Sequence, residues 1–526
     1  MGIYLNPDNE GFWMSVRSKI YVDKTGLIAC TNELLNTEQR FLCVSRPRRF
    51  GKSMALKMLA AYYSCGCDSA ELFQGLKIEN EESFQKHLNQ YDIIFLNMQQ
   101  FLIESEHQDL TKYLEQEVLE ELIEEYGDIF SRQDMGLSYA LRKIYARTKR
   151  KFIFLVDEWD CVMRERQESE TQQKQYLDFL RNLLKDQPYV ALAYMTGILP
   201  VKKYGEHSAL NMFTEYSMTD QKTFEEYTGF TEDEVKALCG EFDMDFAEMS
   251  SWYDGYMFTK FQHIYNPRSV VEAMCCRRLS NYWTSTEVYD ALKTYIDMDF
   301  DGLREDIVRM LGGGRVGVNT RSFRNDMRNL ERKDDVLTLL VHLGYLAHDA
   351  VAKEVFIPNK EIVEEFETAM SVRGWSEVMR VVKASGKLLD DTLACSEKSV
   401  AEGLDRAHTE VSSILTYNDE NSLGCAIGLA YYSARKDYKL IRELPTGRGF
   451  ADVVFLPLPH TGKPALIVEL KYDKTADSAI QQIKNRQYTQ ALENYIGEIL
   501  LVGINYNKDN ADKPHSCVIE KVEKTK

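Results

Sequence analysis

The chain has 526 residues and a mass of 60.9 kDa, enough for roughly two to four domains of ordinary size. With 44% hydrophobic and 28% charged residues it is typical of a globular protein. No stretch reaches the roughly 20 apolar residues that cross a bilayer, the N-terminus lacks the features of a secretion signal, and the eleven cysteines follow no disulfide or zinc spacing. We therefore exclude a secreted disulfide scaffold and a membrane protein, and we expect a cytoplasmic location.

The formal net charge of −18 argues against a protein that coats nucleic acid, but the charge is unevenly distributed. Residues 411–526 carry 15 Lys and Arg against 14 Asp and Glu, whereas the first 410 residues carry 49 against 68. Phosphate is therefore repelled least in the C-terminal quarter, where we expect any contact with nucleic acid.

The N-terminal part alternates short apolar runs with helix-length segments, which predicts a parallel sheet covered by helices, an α/β fold. From about residue 224 to 386 the pattern is mainly helical. From about residue 417 it is helix, strand, strand, helix, strand, which predicts a second, smaller α/β domain. The predicted N-terminal strands are 40–44, 93–96, 152–156 and 189–195, and the helices between them include 53–63 and 110–126.

A Gly-Lys-Ser sequence lies between the first predicted strand and a helix. This arrangement is typical of a nucleoside triphosphate site, in which backbone N–H groups and the helix N-terminus face the phosphates. Gly51 leaves room for the phosphates, Lys52 would reach the β- and γ-phosphates, and the Ser53 hydroxyl would bind Mg²⁺. The standard pattern has glycine where this chain has Arg46, and a lone Gly-Lys-Ser is common by chance.

The third predicted strand ends in two carboxylates, Asp157 and Glu158. In a nucleotide site Asp157 would bind Mg²⁺ and Glu158 would polarise water. The alternative is an acidic strand end at a solvated edge, but the order of the two motifs, about 105 residues apart, favours the nucleotide site. Thr196 is a candidate contact of the γ-phosphate, although Thr-Gly after a strand is more often a simple turn.

Three arginines crowd the same loop: Arg46, Arg48 and Arg49. The functional interpretation is that they neutralise phosphate charge where the standard pattern has a flexible glycine. For Arg48 and Arg49, a solvated basic loop is an equal alternative.

Near the C-terminus two apolar segments, 447–456 and 465–472, flank an eight-residue turn. Folded as a hairpin, they pair residues whose numbers sum to about 921, which places Asp452 opposite Glu469. Alternation along a strand then puts Glu469 and Lys471 on one face. Two carboxylates and one ammonium are thus predicted to converge.

Such a cluster is costly to bury unless a divalent cation lies between Asp452 and Glu469. Lys471 could then orient or deprotonate a water for attack on a phosphodiester. The alternative is an exposed hairpin with a cross-strand salt bridge, but the apolar neighbours are typical of a buried strand. The flanking segments offer three accessory candidates: Glu420, Gln482 and Tyr488.

The chain resembles the predicted AAA-ATPase-like family of bacterial proteins that carry a C-terminal PD-(D/E)xK nuclease-like domain. The resemblance covers most of the chain, and its most specific motif is Arg-Pro-Arg-Arg-Phe-Gly-Lys-Ser at 46–53. Further matches lie at 21–25, 155–160, 196–197, 229–235, 265–269, 449–452 and 468–472, and at Gln482, Ile483 and Tyr488.

The resemblance implies a P-loop domain with a parallel sheet over 1–223, a helical region over 224–400 and a restriction-endonuclease-like α/β domain over 401–526. It also implies nucleotide binding at Lys52, Ser53 and Asp157, and a metal nuclease centre. Arginine at position 46 is common in this family. The implied nuclease residues are Asp452, Glu469 and Lys471.

These observations predict an enzyme with two sites, with ATP and Mg²⁺ as cofactors and nucleic acid, expected to be DNA, as partner. The nucleotide state would gate cleavage through the helical region. One rival is a nucleotide-dependent switch that binds nucleic acid or protein without cutting, and a second is a scaffold that binds nucleotide without hydrolysis. The oligomeric state stays open, with a homo-oligomer considered because such ATPases often need a neighbour's arginine.

Overall fold

In the computed structural model, the N-terminal part forms a sheet of five parallel strands, which confirms the predicted α/β class. In chain order its elements are α1 (Glu10–Val16), α2 (Gly26–Leu34), β1 (Phe41–Ser45), α3 (Lys52–Tyr63), α4 (Phe84–His87), β2 (Asp92–Asn97), α5 (Met98–Glu104), α6 (Leu110–Tyr126), α7 (Leu137–Thr148), β3 (Phe152–Asp157), α8 (Cys161–Glu165), α9 (Glu170–Leu184), β4 (Val190–Gly197) and β5 (Thr214–Tyr216).

The strand order across this sheet is β2-β3-β4-β1-β5. Every residue of β1, β3 and β4 is buried, as expected for parallel strands covered by helices on both faces. The four predicted strands are all present. The short edge strand β5 was not predicted.

Helix α6 shows how local sequence sets these elements. The Asp109 side chain accepts hydrogen bonds from the backbone N–H groups of Thr111 and Lys112 at 3.0 and 3.1 Å, which caps the helix N-terminus. Leu114, Val118 and Leu122 recur every four residues and are buried. Of the acidic residues between them, Glu120 is exposed, whereas the Glu121 carboxylate accepts hydrogen bonds from the backbone N–H groups of Ile3, Tyr4 and Leu5.

The middle of the chain is mainly helical, as predicted. Its elements are β6 (Phe230–Thr231), α10 (Glu232–Phe242), α11 (Phe246–Tyr253), β7 (Ile264–Tyr265), α12 (Pro267–Cys276), α13 (Tyr289–Ile296), α14 (Leu303–Leu311), β8 (Val316–Gly317), α15 (Lys333–Leu343), β9 (Ala347–Asp349), β10 (Glu354–Phe356), α16 (Lys360–Met370), α17 (Ser376–Leu393) and α18 (Glu397–Val411). Short 3-10 helices lie at Ala70–Phe73, Lys77–Asn80, Gly127–Ile129, Glu225–Tyr227 and Tyr432–Lys436.

The C-terminal part forms a second, mixed sheet. Its elements are α19 (Glu420–Ala430), β11 (Tyr438–Thr446), β12 (Gly449–Pro457), β13 (Ala465–Tyr472), α20 (Ala476–Asn485), β14 (Ile499–Tyr506) and β15 (His515–Val522), with strand order β11-β12-β13-β14-β15. Strands β12 and β13 pair Val453 with Val468, which is the predicted register. Strands β11 and β15, at the two edges, add to the predicted pattern.

The chain divides into two compact units, and each contains part of the stretch predicted as a separate middle region. The N-terminal unit comprises Met1–Glu241, Tyr256–Cys275 and Val318–Lys353, and the C-terminal unit comprises Phe242–Gly255, Cys276–Gly317 and Glu354–Lys526. The three-part division at 223 and 400 stays a prediction.

The structure describes residues 2–106, 108–130, 136–166, 169–201, 210–220, 223–283, 289–298, 300, 302–324, 327, 330–371, 375–411, 420–446, 449–458, 461–485, 497–507 and 515–522. No helix within these ranges has the length and apolar character needed to span a membrane. The eleven cysteines are free thiols.

Candidate functional sites

The first predicted site lies where three neighbouring parallel strands end. Strand β4 lies between β1 and β3, and its Thr196 is level with Val44 of β1, while Met195 is level with Val156 of β3. The residues that follow these strands therefore meet at one edge of the sheet. The carboxyl edge is where ligands bind in open α/β sheets.

The loop between β1 and α3 has the backbone shape of a ligand cradle. Arg49 and Gly51 have φ values of 69° and 88°, in the left-handed region that favours glycine. No described atom lies within 4 Å of the position that a Cβ on Gly51 would occupy. Ser53 is exposed in the first turn of α3, and Arg48 and Arg49 are half-buried. The loop thus has open space beside a helix N-terminus, as phosphate binding requires.

Lys52 turns back into this loop. It is 5% exposed, and its Nζ donates hydrogen bonds to the carbonyl oxygens of Arg46 and Pro47 at 3.0 and 2.8 Å. Burial lowers the pKa of Lys52, and the nearby carboxylates of Glu158 and Asp157 act in the opposite direction. The ammonium is therefore placed among the backbone groups and carboxylates of the predicted nucleotide site.

Asp157 and Thr196 make direct contact at the ends of β3 and β4. The Thr196 hydroxyl donates to Oδ1 of Asp157 at 2.5 Å, and the backbone N–H of Glu158 donates to the same oxygen at 3.0 Å. Both side chains are buried. The structure thus brings together three predicted residues, while the contact of Thr196 with a γ-phosphate stays a prediction.

The Arg46 side chain is not exposed in the loop. It is fully buried, with Nε donating to Oγ1 of Thr228 at 2.9 Å and Nη1 donating to the carbonyl oxygens of Tyr216 and Ser45 at 2.7 and 2.9 Å. The guanidinium also lies 5.0 Å from the ring centre of Phe258, and burial lowers the pKa of Arg46 to about 10. These contacts favour a structural role for Arg46. Its role in neutralising phosphate charge stays a prediction, and the geometry does not support that role.

Glu158 has a partner that the sequence analysis did not consider. Its backbone is left-handed, with φ of 53°, and its Oε2 accepts a hydrogen bond from Nη2 of Arg164. Arg164 also donates from Nε to Oδ2 of Asp160 at 3.1 Å. Asp160 is the N-cap of α8 and Arg164 lies in its last turn, and their spacing of four residues was the available sign of this pair.

The second predicted site lies on the hairpin of β12 and β13. The described ladder between these strands includes Val453 paired with Val468. Just before it, Oδ2 of Asp452 accepts a hydrogen bond from the backbone N–H of Leu470 at 2.7 Å. This bond places the Asp452 carboxylate beside the peptide that follows Glu469.

Glu469 and Lys471 lie on one face of β13, as predicted. Nζ of Lys471 donates to Oε1 of Glu469 at 2.9 Å and to the Leu470 carbonyl oxygen at 3.2 Å. Glu469 is fully buried, and the Gln482 side-chain amide on α20 donates to the same Oε1. Of the accessory candidates, Gln482 therefore joins the cluster. Tyr488 and the side chain of Glu420 lie outside the described residues.

The donor atoms of both sites suit a hard divalent cation. Mg²⁺ is usually bound by one or two carboxylates together with waters or phosphates. Asp452 and Glu469 provide two carboxylates in the hairpin, and Asp157 and Ser53 provide oxygen donors at the N-terminal site. Within the described ranges, no group of three or more His, Cys, Asp or Glu side chains is arranged to hold a metal. The oxygen donors at both sites are of the type that a divalent cation takes.

Known proteins that are similar to this chain include one sequence relative and two solved structures. A protein of Azotobacter chroococcum mcd 1, described as an uncharacterized protein in the vnfD 5′ region, is 23% identical over 525 residues, covering 93% of each chain. The Walker-type ATPase paby2304 of Pyrococcus abyssi is similar over 65% of this chain and 94% of its own, with 12% identity and a TM-score of 0.34. The ORC2 protein of Aeropyrum pernix is similar over 70% of this chain and 98% of its own, with 11% identity and a TM-score of 0.31.

Two family matches cover the two sites. Residues 13–205 match the family described as Predicted AAA-ATPase, and this range contains the phosphate loop, Asp157 and Thr196. Residues 420–515 match the PD-(D/E)XK nuclease superfamily, and this range contains Asp452, Glu469 and Lys471. The chain thus contains an N-terminal segment that matches a predicted AAA-ATPase and a C-terminal segment that matches the PD-(D/E)XK nuclease superfamily.

Proposed function

We propose that the N-terminal unit binds ATP with Mg²⁺ and hydrolyses it. The observation that carries this proposal is the convergence of Lys52, Asp157 and Glu158 at one sheet edge, beside an open loop. Lys52 would exchange its two bonds to loop carbonyls for bonds to the β- and γ-phosphates. Ser53 and Asp157 would hold Mg²⁺, which neutralises phosphate charge when bound, and Glu158 would orient the attacking water.

For the C-terminal unit, the proposed activity is cleavage of phosphodiester bonds in nucleic acid, with DNA as the expected substrate. Direct hydrogen bonds join Glu469 to Lys471 and Gln482, and Asp452 is tied to the same strand. Asp452 and Glu469 would hold Mg²⁺, which would stabilise developing negative charge. Lys471 would orient the attacking water. The near-neutral charge of residues 411–526 supports contact with nucleic acid in this part of the chain.

The nucleotide state is proposed to gate this cleavage. The test incubates the purified full-length protein with plasmid and single-stranded DNA and Mg²⁺ or Mn²⁺, with and without ATP. We expect cutting that depends on ATP, is lost in Lys471→Ala, and loses its ATP dependence in Lys52→Ala. Cutting that ignores ATP in the wild type would contradict gating while leaving the nuclease in place.

The control separates the chain's own activity from a contaminant. Lys474→Ala changes an exposed lysine three residues beyond Lys471, so it should cut like the wild type. A contaminating nuclease would survive both substitutions equally. Activity that persists in Lys471→Ala at the wild-type level would therefore refute the proposed centre.

A second candidate is a nucleotide-dependent switch that binds nucleic acid or protein without cutting. The observation that favours it is the complete burial of Glu469 in an ion pair with Lys471, because such pairs also occur as structural elements. Intact nucleotide binding without cleavage of DNA or RNA would support this candidate. Lys471 would then be a structural residue.

We further propose a cytoplasmic location. The free thiols of the eleven cysteines support this location, since a reducing compartment preserves them. Assembly into a homo-oligomer is also proposed, because related ATPase mechanisms take an arginine from a neighbour. Sedimentation of the full-length protein with and without ATP would test the assembly.

A further inference from the structure

Arg164 connects two carboxylates at the carboxyl edge of the N-terminal sheet. Its Nη2 donates to Oε2 of Glu158, and its Nε donates to Oδ2 of Asp160 at 3.1 Å. The Arg164 side chain is only 8% exposed. Hydrogen bonds between a guanidinium and carboxylates are strong, and they are screened little where water is scarce.

One of these two partners is fixed. Asp160 is fully buried, and its Oδ2 also accepts hydrogen bonds from the backbone N–H groups of Ile198 and Leu199 at 3.1 and 2.8 Å. Ile198 and Leu199 directly follow β4, the strand that carries Thr196. Arg164 is therefore tied through Asp160 to the end of a central strand.

The other partner is placed to move. The Glu158 side chain is 27% exposed, and the residue has a left-handed backbone, which is unfavourable for a non-glycine residue. Rotation about its side-chain bonds would release Glu158 from Arg164 without disturbing the buried bonds of Asp160. The arrangement thus has one anchored carboxylate and one releasable carboxylate.

A carboxylate that orients an attacking water must offer that water an oxygen. A guanidinium bonded to a carboxylate oxygen competes with the water for that oxygen. We propose that Arg164 is a positioning residue that holds Glu158 in a resting position, and that Glu158 leaves Arg164 before ATP is hydrolysed. This inference rests on the proposed ATPase function and adds the means by which its turnover is restrained.

The test compares Arg164→Lys with the wild type in the full-length protein. Lysine keeps a cation beside the buried Asp160, so this variant should fold. Its shorter side chain and single nitrogen should reach both carboxylates less well than the guanidinium, which binds Asp160 through Nε and Glu158 through Nη2. We expect kcat for ATP hydrolysis to rise about tenfold, as the loss of one charge-assisted hydrogen bond implies. The affinity for a fluorescent ATP analogue should stay unchanged.

A second measurement shows whether the effect acts through Glu158. Glu158→Gln is combined with Arg164→Lys, and the gain in kcat should vanish in the glutamine background. A purely structural role of Arg164 predicts instead a lower melting temperature and a lower kcat.

The outcomes distinguish this inference from the proposed function. Absence of ATP binding by the wild type would overturn the ATPase proposal, and the inference with it. Intact ATP binding, with turnover that Arg164→Lys leaves unchanged or slows, would overturn the inference alone. A wild type that binds and hydrolyses ATP, together with faster turnover by Arg164→Lys, would support both.

Discussion

The Thr196 hydroxyl donates a 2.5 Å hydrogen bond to Oδ1 of Asp157 across two adjacent parallel strands. The same oxygen accepts the backbone N–H of Glu158 at 3.0 Å. Both side chains are buried, so these two bonds hold the Asp157 carboxylate in one orientation. Thr196 therefore supports the residue that is proposed to hold Mg²⁺.

Substitution of Thr196 by valine keeps its shape but removes the hydroxyl. We expect Mg²⁺-dependent ATP turnover to fall by roughly 10- to 100-fold, as for other lost supports of metal ligands, and Thr196→Ser to retain most of it. Turnover measured over a Mg²⁺ titration checks this, since a poorly oriented Asp157 needs more Mg²⁺. If Thr196 instead contacts the γ-phosphate, the valine variant will weaken ATP binding and spare binding of ADP with Mg²⁺.

Arg46 is expected to stabilise the fold where the standard pattern has glycine. The Arg46 side chain binds Thr228 at one end of the phosphate loop, and at the other end the Gly229 backbone N–H donates to the Phe50 carbonyl oxygen at 3.1 Å. Both ends of the loop are thus tied to two consecutive residues. Restoring glycine with Arg46→Gly should lower the free energy of unfolding by about 2–4 kcal/mol, since it removes bonds to a buried charged group.

Urea unfolding, with nucleotide binding measured alongside, tests this prediction. Arg48→Gly is the matched control, because Arg48 lies in the same loop and is half-buried. It should change the unfolding midpoint by less than Arg46→Gly. Equal stability of Arg46→Gly and the wild type, with weaker ATP binding only in Arg46→Gly, would favour the original expectation that Arg46 contacts phosphate.

In the two five-stranded sheets, the sequence predicted the central strands and the edge strand β2, but it did not predict the other three edge strands, β5, β11 and β15. Strands β1, β3 and β4 are buried on both faces, so each reads as a continuous apolar run. Strand β11 contains Lys, Arg, Glu and Pro, which are common at sheet edges, and β15 alternates buried and more exposed residues. Strand β5 has only three residues. Strands β5, β11 and β15 contain no continuous apolar run, so the hydrophobic pattern of the sequence did not reveal them.

The same limit applies to the sites. The hairpin register and strand alternation suffice to bring Glu469 and Lys471 together, because both follow from local geometry. The partner of Arg46, Thr228, lies 182 positions away along the chain. Such a contact depends on tertiary packing, which no local spacing encodes.

The buried position of Lys52 predicts a pH dependence of ATP binding. An ordinary lysine side chain has a pKa of about 10.4. Burial lowers the pKa of Lys52, so in the free protein its ammonium loses the proton at a lower pH than an ordinary lysine does. Bound phosphates favour the charged form, so binding at alkaline pH takes up a proton, and affinity falls as the pH rises. At pH values below the lowered pKa of Lys52, the affinity for ATP should not depend on the protonation of this side chain.

Calorimetric titration with ATP in buffers of different ionisation enthalpy measures this proton uptake directly. Lys52→Arg is the control, because a guanidinium keeps its charge over the whole pH range. The ATP affinity of this variant, even if weaker than that of the wild type, should not fall as the pH rises. An ATP affinity of the wild type that stays flat up to the ordinary lysine range would refute the assignment of the effect to Lys52.

Gln482 is predicted to support the nuclease centre from α20. Its side-chain amide donates to Oε1 of Glu469, the oxygen that also accepts from Lys471. Gln482→Leu removes this donor, so Glu469 should be held less firmly and DNA cleavage should fall by roughly 10- to 100-fold. Gln481→Leu, at the exposed neighbouring position, is the control and should cut like the wild type. Equal cleavage by both variants would show that the Gln482 contact does not assist the reaction, and that Asp452, Glu469 and Lys471 act without it.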